Sequence, residues 1–355
     1  MPTQPEKHAQ MIFEILLTSC LASDPTDCGT GRIPVEGDLT ACRERARVIA
    51  ANVPASAQLQ SYPCVMAGQT PDFAFSEIAP GVFVHQGQHA GDPDTENRGD
   101  LSNITFIIGD ASVAVIDSGT HPWIGREVLK AIRAETALPV SNIILTHMHP
   151  DHVLGARPLL EDGGSVIGHA KLAEALSARA SNYIANMQRL GLDDISEVDI
   201  VLPDAGVELV QTISLGNREL ILSAHPLSHT NNDLTVLDMA TGTLILGDLL
   251  FAGHTPALDG SATGWKQVIE DLVQLPAQRV VPGHGPVAQP WPEAAKPLLA
   301  YLNTLIDDTR AELDAGTSML QAVERIAESE RKRWLLFDAF NKRNATVTYQ
   351  ELEWE

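Results

Sequence analysis

The chain has 355 residues, with Lys+Arg 24 against Asp+Glu 46 and a formal net charge of −22. Hydrophobic residues at 44% and charged residues at 20% are the proportions of a globular protein and exclude wholesale disorder. The acidity excludes the basic footprint that nucleic acid or an anionic membrane surface requires. Apolar runs such as residues 244–253 (LILGDLLFAG) are too short and interrupted to span a bilayer.

At roughly 150 residues per domain the length allows two domains. Residues 1–70 read as a small helical segment that carries all four cysteines, Cys20, Cys28, Cys42 and Cys64. An even number confined to one short segment predicts two disulfides stapling a subdomain too small to hold a core alone. Four cysteines allow three pairings, and the sequence does not choose among them. A four-cysteine zinc site lacks the usual C-x2-C knuckle, and four buried thiols are the remaining alternative. Disulfides imply an oxidising compartment, in a bacterium the periplasm; the alternative is the cytoplasm. Residues 9–19 (AQMIFEILLTS) are apolar, but Glu14 and the weak positive charge before it speak against a signal peptide.

Residues 41–53 follow a helix pattern, and 66–80 are linker-like. A central domain is expected over 71–300. Short apolar runs at 82–86, 104–109, 112–117 and 142–147 predict strands, with a helix at 122–135. Helices are expected at 152–161 and 170–190. Further strands are expected at 206–214, 219–225, 233–239, 243–247 and 279–283, with a helix at 264–274. Residues 301–355 read as a helical C-terminal extension. Strands first, then alternating β and α in two blocks, predict a layered α/β sandwich.

The strongest chemical signal is residues 146–155 (THMHPDHVLG), which set His147, His149, Asp151 and His152 within six residues after an apolar strand. Imidazole and carboxylate are good ligands for a divalent transition metal. On a strand, His147 and His149 would point the same way because side chains alternate with period two. His229, Asp248 and His284 each follow a later strand, beside glycine or turn residues. Five histidines and two aspartates make seven ligands, enough for two adjacent metals.

HxHxDH followed by a His-Thr, a Gly-Asp and a Gly-His resembles the metallo-β-lactamase superfamily over roughly residues 80–300. The resemblance implies the four-layer αββα sandwich. It implies that His147, His149 and His229 hold a first metal, that Asp151, His152 and His284 hold a second, and that Asp248 bridges them. Asp117 matches the family's acidic residue behind the HxHxDH loop. His149 stands where flavo-diiron members have Glu. Asp248 stands where one group of lactamases has Cys, which favours glyoxalase II-like and general hydrolase members. Ser228 replaces the usual Gly before the third histidine. More narrowly, the Cys-bearing segment, residues 227–234 (LSHTNNDL) and the ending 340–355 resemble the zinc metallohydrolases of quinoprotein relay systems. That likeness implies a periplasmic setting beside quinoprotein dehydrogenases.

The expected function is a dinuclear Zn2+ hydrolase using a metal-bridging hydroxide on an ester, thioester, lactone or lactam-like carbonyl of a small molecule. Asp151 would orient the nucleophile and shuttle its proton. His254 is a candidate proton donor, and Asn231 and Asn232 are candidate substrate contacts. Tyr183, Asn186 and Met187 lie on a helix that could overhang the site. The basic, aromatic tail 331–344 could cap the pocket or form a contact in a homo-oligomer. The alternatives are a mononuclear Fe2+ persulfide dioxygenase and a non-catalytic accessory protein of a quinoprotein system.

Overall fold

The computed structural model describes residues 12–21, 24–36, 39–53, 57–61, 64–66, 73–94, 97–190 and 198–355. The linker-like stretch expected over 66–80 falls partly outside them, at 67–72. Residues 9–11 of the apolar stretch read over 9–19 also lie outside the described residues. The chain divides into two compact units, residues 1–74 with 127–137, and residues 75–126 with 138–355.

The first unit contains β1 (Ile12–Leu21), β2 (Asp24–Glu36), α1 (Leu39–Ala51), β3 (Ala57–Ser61) and β4 (Cys64–Met66). The helical N-terminal segment expected from sequence is therefore corrected to a four-stranded sheet with one helix. The reason is partner choice. The run Ile12–Leu21 pairs antiparallel with β2 along its whole length, Ile12 opposite Glu36 and Cys20 opposite Cys28. Apolar periodicity alone does not separate a buried strand from a buried helix segment. Ile15, Val35, Cys42 and Ala46 form a small buried cluster.

The second unit opens with β5 (Ser76–Ala79), β6 (Val82–His85), β7 (Ile104–Ile108) and β8 (Val113–Ile116). Then come α2 (Pro122–Glu135), whose C-terminal part belongs to the first unit, β9 (Val140–Ile144), the short α3 (Pro150–Val153), β10 (Ser165–His169), α4 (Leu172–Leu190) and β11 (Ala205–Val207). These strands form one sheet in the order β11-β10-β9-β8-β7-β6-β5. Pairing is antiparallel from β5 to β8 and parallel from β8 to β11.

The second half contributes β12 (Val210–Ser214), β13 (Glu219–Ala224), β14 (Leu234–Asp238), β15 (Thr243–Phe251), α5 (Ala262–Leu272), β16 (Arg279–His284), β17 (Gln289–Pro290), α6 (Ala295–Asp314), α7 (Met319–Ala322) and α8 (Phe337–Leu352). β12 to β17 form the second sheet in chain order. The single strand expected over 206–214 is two strands, β11 in one sheet and β12 in the other. The helix expected over 152–161 is the short α3 followed by a 3-10 turn at Arg157–Asp162.

The two sheets pack face to face. Val84, Ile107, Ile116 and Ile144 from the first share a core with Leu222, Val236, Ile245 and Val281 from the second. On the outer face of the second sheet, Leu246 and Leu250 of β15 pack in one cluster with Trp265 of α5, Leu298 and Leu302 of α6 and Tyr349 of α8. The layers run helix, sheet, sheet, helix. β8 and β15 are buried at every position, which is why they read as near-continuous apolar runs. The C-terminal helices share the core of the second unit.

Candidate metal centre

The sandwich brings strand ends together along one edge. Asp117 directly follows β8, β9 leads into the 145–149 loop and α3, and β15 and β16 carry Asp248 and His284. His147 and His149 lie beyond the end of β9. It is a loop, not the strand pleat, that brings their rings within 4.7 Å.

Two groups of potential ligands result: His147, His149, His229 and Asp248, and Asp151, His152 and His284. Asp248 joins them. Its Oδ2 lies 3.6 Å from His147 Nε2, 3.9 Å from His149 Nδ1 and 3.7 Å from His229 Nε2. Its Oδ1 lies 3.2 Å from His152 Nε2 and 3.3 Å from His284 Nε2. Asp151 Oδ2 completes the second group, 3.3 Å from His284 Nε2 and 3.6 Å from His152 Nε2.

The backbone makes room for Asp248. A β-bulge shifts register between Ile245 and Gly247 against β16, and Gly247 sits at φ 51. Bulges re-aim side chains in this way. On β16, a Cβ at Gly283 would fall 2.0 Å from Asp248 Oδ1. Only glycine leaves that space open.

Each histidine is held by its outer nitrogen. His152 Nδ1 lies 2.7 Å from Asp117 Oδ2, and His229 Nδ1 lies 3.1 Å from Asp233 Oδ1. His284 Nδ1 donates to the Leu101 carbonyl at 3.0 Å, and His147 Nδ1 lies 3.0 Å from Thr146 Oγ1. His149 Nε2 lies 3.4 Å from Asp259 Oδ2. Such partners fix ring orientation and direct the other nitrogen inward. Asp117, at φ 62, also accepts from the Thr146 amide and hydroxyl. Ser228 donates to Asp233 Oδ2 at 2.7 Å, so the departure from Gly adds a bond to the carboxylate behind His229.

His147 Nε2, His229 Nε2 and Asp248 Oδ1 are buried without a hydrogen-bond partner. Burial pushes the His147 imidazole well below its usual range, reinforced by His152. Burial opposes charge on His149, but Asp248 and Asp259 outweigh it and raise that imidazole to about 9. Asp248 stays ionised against the burial penalty because His284, His152 and His147 surround it. Unpaired inward lone pairs around an ionised carboxylate form a donor set that fits divalent cations.

A cavity of about 240 Å3 opens on this cluster, with His149, Asp151, Asp248 and His284 in its wall. Asn186 and Met187 of α4 also line it; Tyr183 instead donates to the Met148 carbonyl at 2.8 Å. Phe340 and Arg343 of α8 line it too, which places the C-terminal tail over the pocket. His254 is buried in the same wall. Its Nδ1 donates to the Thr255 carbonyl at 2.9 Å, and burial, with His284 nearby, lowers it to about 4. Asn231 and Asn232 are not among the lining residues. Asn232 is buried and donates to Asn231 Oδ1 and Met148 Sδ.

Sequence reasoning missed Asp233, Asp259 and Phe251. Asp233 had a signal, four residues after His229 in the same turn. Asp259 and Phe251 had none, because only tertiary structure brings them to the site.

The family model of the Metallo-beta-lactamase superfamily matches residues 97–284. The chain is 27% identical over 194 residues to Beta-lactamase-like protein 2 homolog of Drosophila melanogaster, covering 52% of this chain and 59% of that relative. A metallo-beta-lactamase from Pontibacter korlensis superposes with a TM-score of 0.53 at 20% identity, covering 65% of this chain and 99% of that one. A stereoselective inverting sec-alkylsulfatase from Pseudomonas sp. superposes with a TM-score of 0.61 at 16% identity, covering 79% of this chain and 50% of that one. The two structural likenesses are of fold.

Proposed function

The chain belongs to the metallo-beta-lactamase superfamily, and from that premise we propose that it is a dinuclear zinc-dependent hydrolase of a small acyl compound. One observation carries the reading: the Asp248 carboxylate lies between two histidine groups, one oxygen towards each. The buried imidazole nitrogens His147 Nε2 and His229 Nε2 support it, since each would cost about 1–3 kcal/mol if nothing filled the space between them. His147, His149 and His229 would hold one metal, Asp151, His152 and His284 the other, and Asp248 both. When bound, the metals supply Lewis acidity and lower the pKa of a water from about 15.7 towards about 7.

The protein's own groups do the rest. Asp151, whose Oδ2 meets the cavity beside His284, orients the attacking water and takes its proton. The Ser102 hydroxyl, donating to the Asp151 carbonyl oxygen at 2.5 Å, holds that residue in place. The water oxygen bonds to the acyl carbon, the acyl–heteroatom bond breaks, and the proton held at Asp151 passes to the leaving heteroatom. Met187, Phe251 and Phe340 supply an apolar wall that limits water around the scissile bond. The accessory-protein alternative expects a filled or occluded pocket and biological activity that survives Asp151→Ala.

Elemental analysis of the purified protein tests this reading. About two zincs per chain, with hydrolysis in a panel of thioesters, lactones and β-lactams, is the expected result. One iron per chain with oxygen uptake on a persulfide would replace the hydrolase with the oxygenase. We further propose an oxidising compartment, supported by the backbone register that sets Cys20 opposite Cys28. The quinoprotein association remains part of this proposal and rests on sequence resemblance.

A further inference from the structure

Arg343 is the one arginine or lysine among the described residues that line the cavity, in a chain of net charge −22. It stands on α8, outside the stretch matched to the family. Its Nη2 donates to Asp259 Oδ1 at 3.2 Å. The same carboxylate meets His149 Nε2 through Oδ2 at 3.4 Å, and Arg179 Nη2 of α4 approaches that oxygen at 3.8 Å. Two arginines from separate helices thus flank one aspartate, leaving an excess of positive charge beside the cluster. Arg343 is more than half exposed and has five N–H donors, of which the Asp259 bond uses one. A guanidinium anchored at one edge and open at the other suits bidentate pairing with a planar or tetrahedral anion. Phe251, Phe340 and Met187 line the same cavity and give it an apolar wall, which suits a short hydrocarbon stem. Asp92, the one lining carboxylate outside the metal cluster, is exposed on a separate loop.

We propose that this pocket selects an acyl substrate carrying an anionic group, a carboxylate or a sulfo group, which docks on Arg343 while the scissile carbonyl reaches the His/Asp cluster. The proposal rests on the hydrolase reading above. The shared recognition chemistry is a charge-assisted bidentate hydrogen bond. Phe340, one turn before Arg343 on the same helix, holds the stem between the two ends.

The test uses metal-loaded protein and three thioesters of one thiol: valerate, glutarate and 4-sulfobutyrate. At least one charged acyl group should exceed valerate by roughly tenfold in kcat/KM, chiefly through KM. Which of the two leads identifies the anion. Arg343→Ala should bring the charged-to-neutral ratio within roughly threefold of unity, and Arg343→Lys should restore part of it. A uniform loss on all three thioesters would reduce Arg343 to a support for Asp259 and overturn the proposal, as would a wild-type preference for valerate. Absence of turnover on every substrate would count against the hydrolase reading instead. Calorimetric titration with glutarate then decides separately: binding weakened about tenfold by Arg343→Ala supports the anion site, and equal binding in both proteins overturns it.

Discussion

Replacing Gly283 with alanine attacks the proposed metal centre without deleting a single ligand. The added Cβ would stand 2.0 Å from Asp248 Oδ1, 2.7 Å from the Gly247 carbonyl carbon and 2.8 Å from the Asp248 amide nitrogen. Two of these three atoms are backbone, so a side-chain rotation alone cannot relieve the overlap. Either β15 and β16 separate locally, or the carboxylate leaves its place between the histidine groups. Overpacking of this kind costs about 1–3 kcal/mol, and it should appear as a lower midpoint in urea unfolding of the metal-free protein. Loss of the shared carboxylate should weaken metal binding by at least the roughly 10–100-fold seen when partners of a metal ligand are removed. The assay is zinc stoichiometry and affinity by competition with a chromogenic chelator. Gly316→Ala serves as the control: it sits at positive φ, 69°, and meets nothing within 4 Å, so it should lose about 1 kcal/mol of stability and no metal. If Gly283→Ala binds two zincs with unchanged affinity, Asp248 does not bridge the two groups and the reasoning fails.

Three further outcomes are expected. Asp233→Ala removes the carboxylate that meets His229 Nδ1, Ser228 Oγ and the Thr230 amide, so metal affinity should fall about 10–100-fold, read by the same chelator competition; an unchanged value would show that His229 orients itself. Asp238→Asn breaks the buried bidentate pair with Arg218, at 2.6 and 2.8 Å, and should cost about 3–5 kcal/mol. Burial would raise the Asp238 carboxyl, but Arg218 outweighs it and the net shift is downward. Its stabilisation is therefore complete above the unfolded carboxyl value of about 4 and lost as pH falls through the lower folded value, so acid unfolding curves should show that loss in the wild type and lack it in the variant. Peptide mapping without reductant should recover Cys20 linked to Cys28 and Cys42 linked to Cys64, since the first pair faces across β1 and β2 and α1 lies beside β4; an alkylated Cys42 would contradict that pairing.

The candidate centre was legible to different depths at different residues. His147, His149, Asp151 and His152 sit close together in sequence, and their type and spacing declare a metal without help from the fold. His229, Asp248 and His284 are isolated, and the resemblance supplied their order. Asp233 shares a turn with His229. Asp259 lies between Asp248 and His284 in sequence and Arg343 lies 59 residues beyond His284, and no local pattern marks either. The N-terminal segment misled for a different reason: the Ile12–Leu21 run has no helix-breaking residue, and only its pairing with Asp24–Glu36 makes it a strand.

Apolar runs, turn residues and the spacing of histidine and aspartate are local properties, so the sequence by itself determined the α/β alternation, the superfamily and the seven ligand candidates. Three features are non-local: which oxygen of Asp248 faces which histidine group, how α8 comes to line the cavity, and how Arg343 and His149 meet on one carboxylate. Each depends on strand register, on a glycine bulge and on helix packing across long loops. Those are set by burial of whole elements rather than by neighbouring residues, and only the tertiary structure decided them.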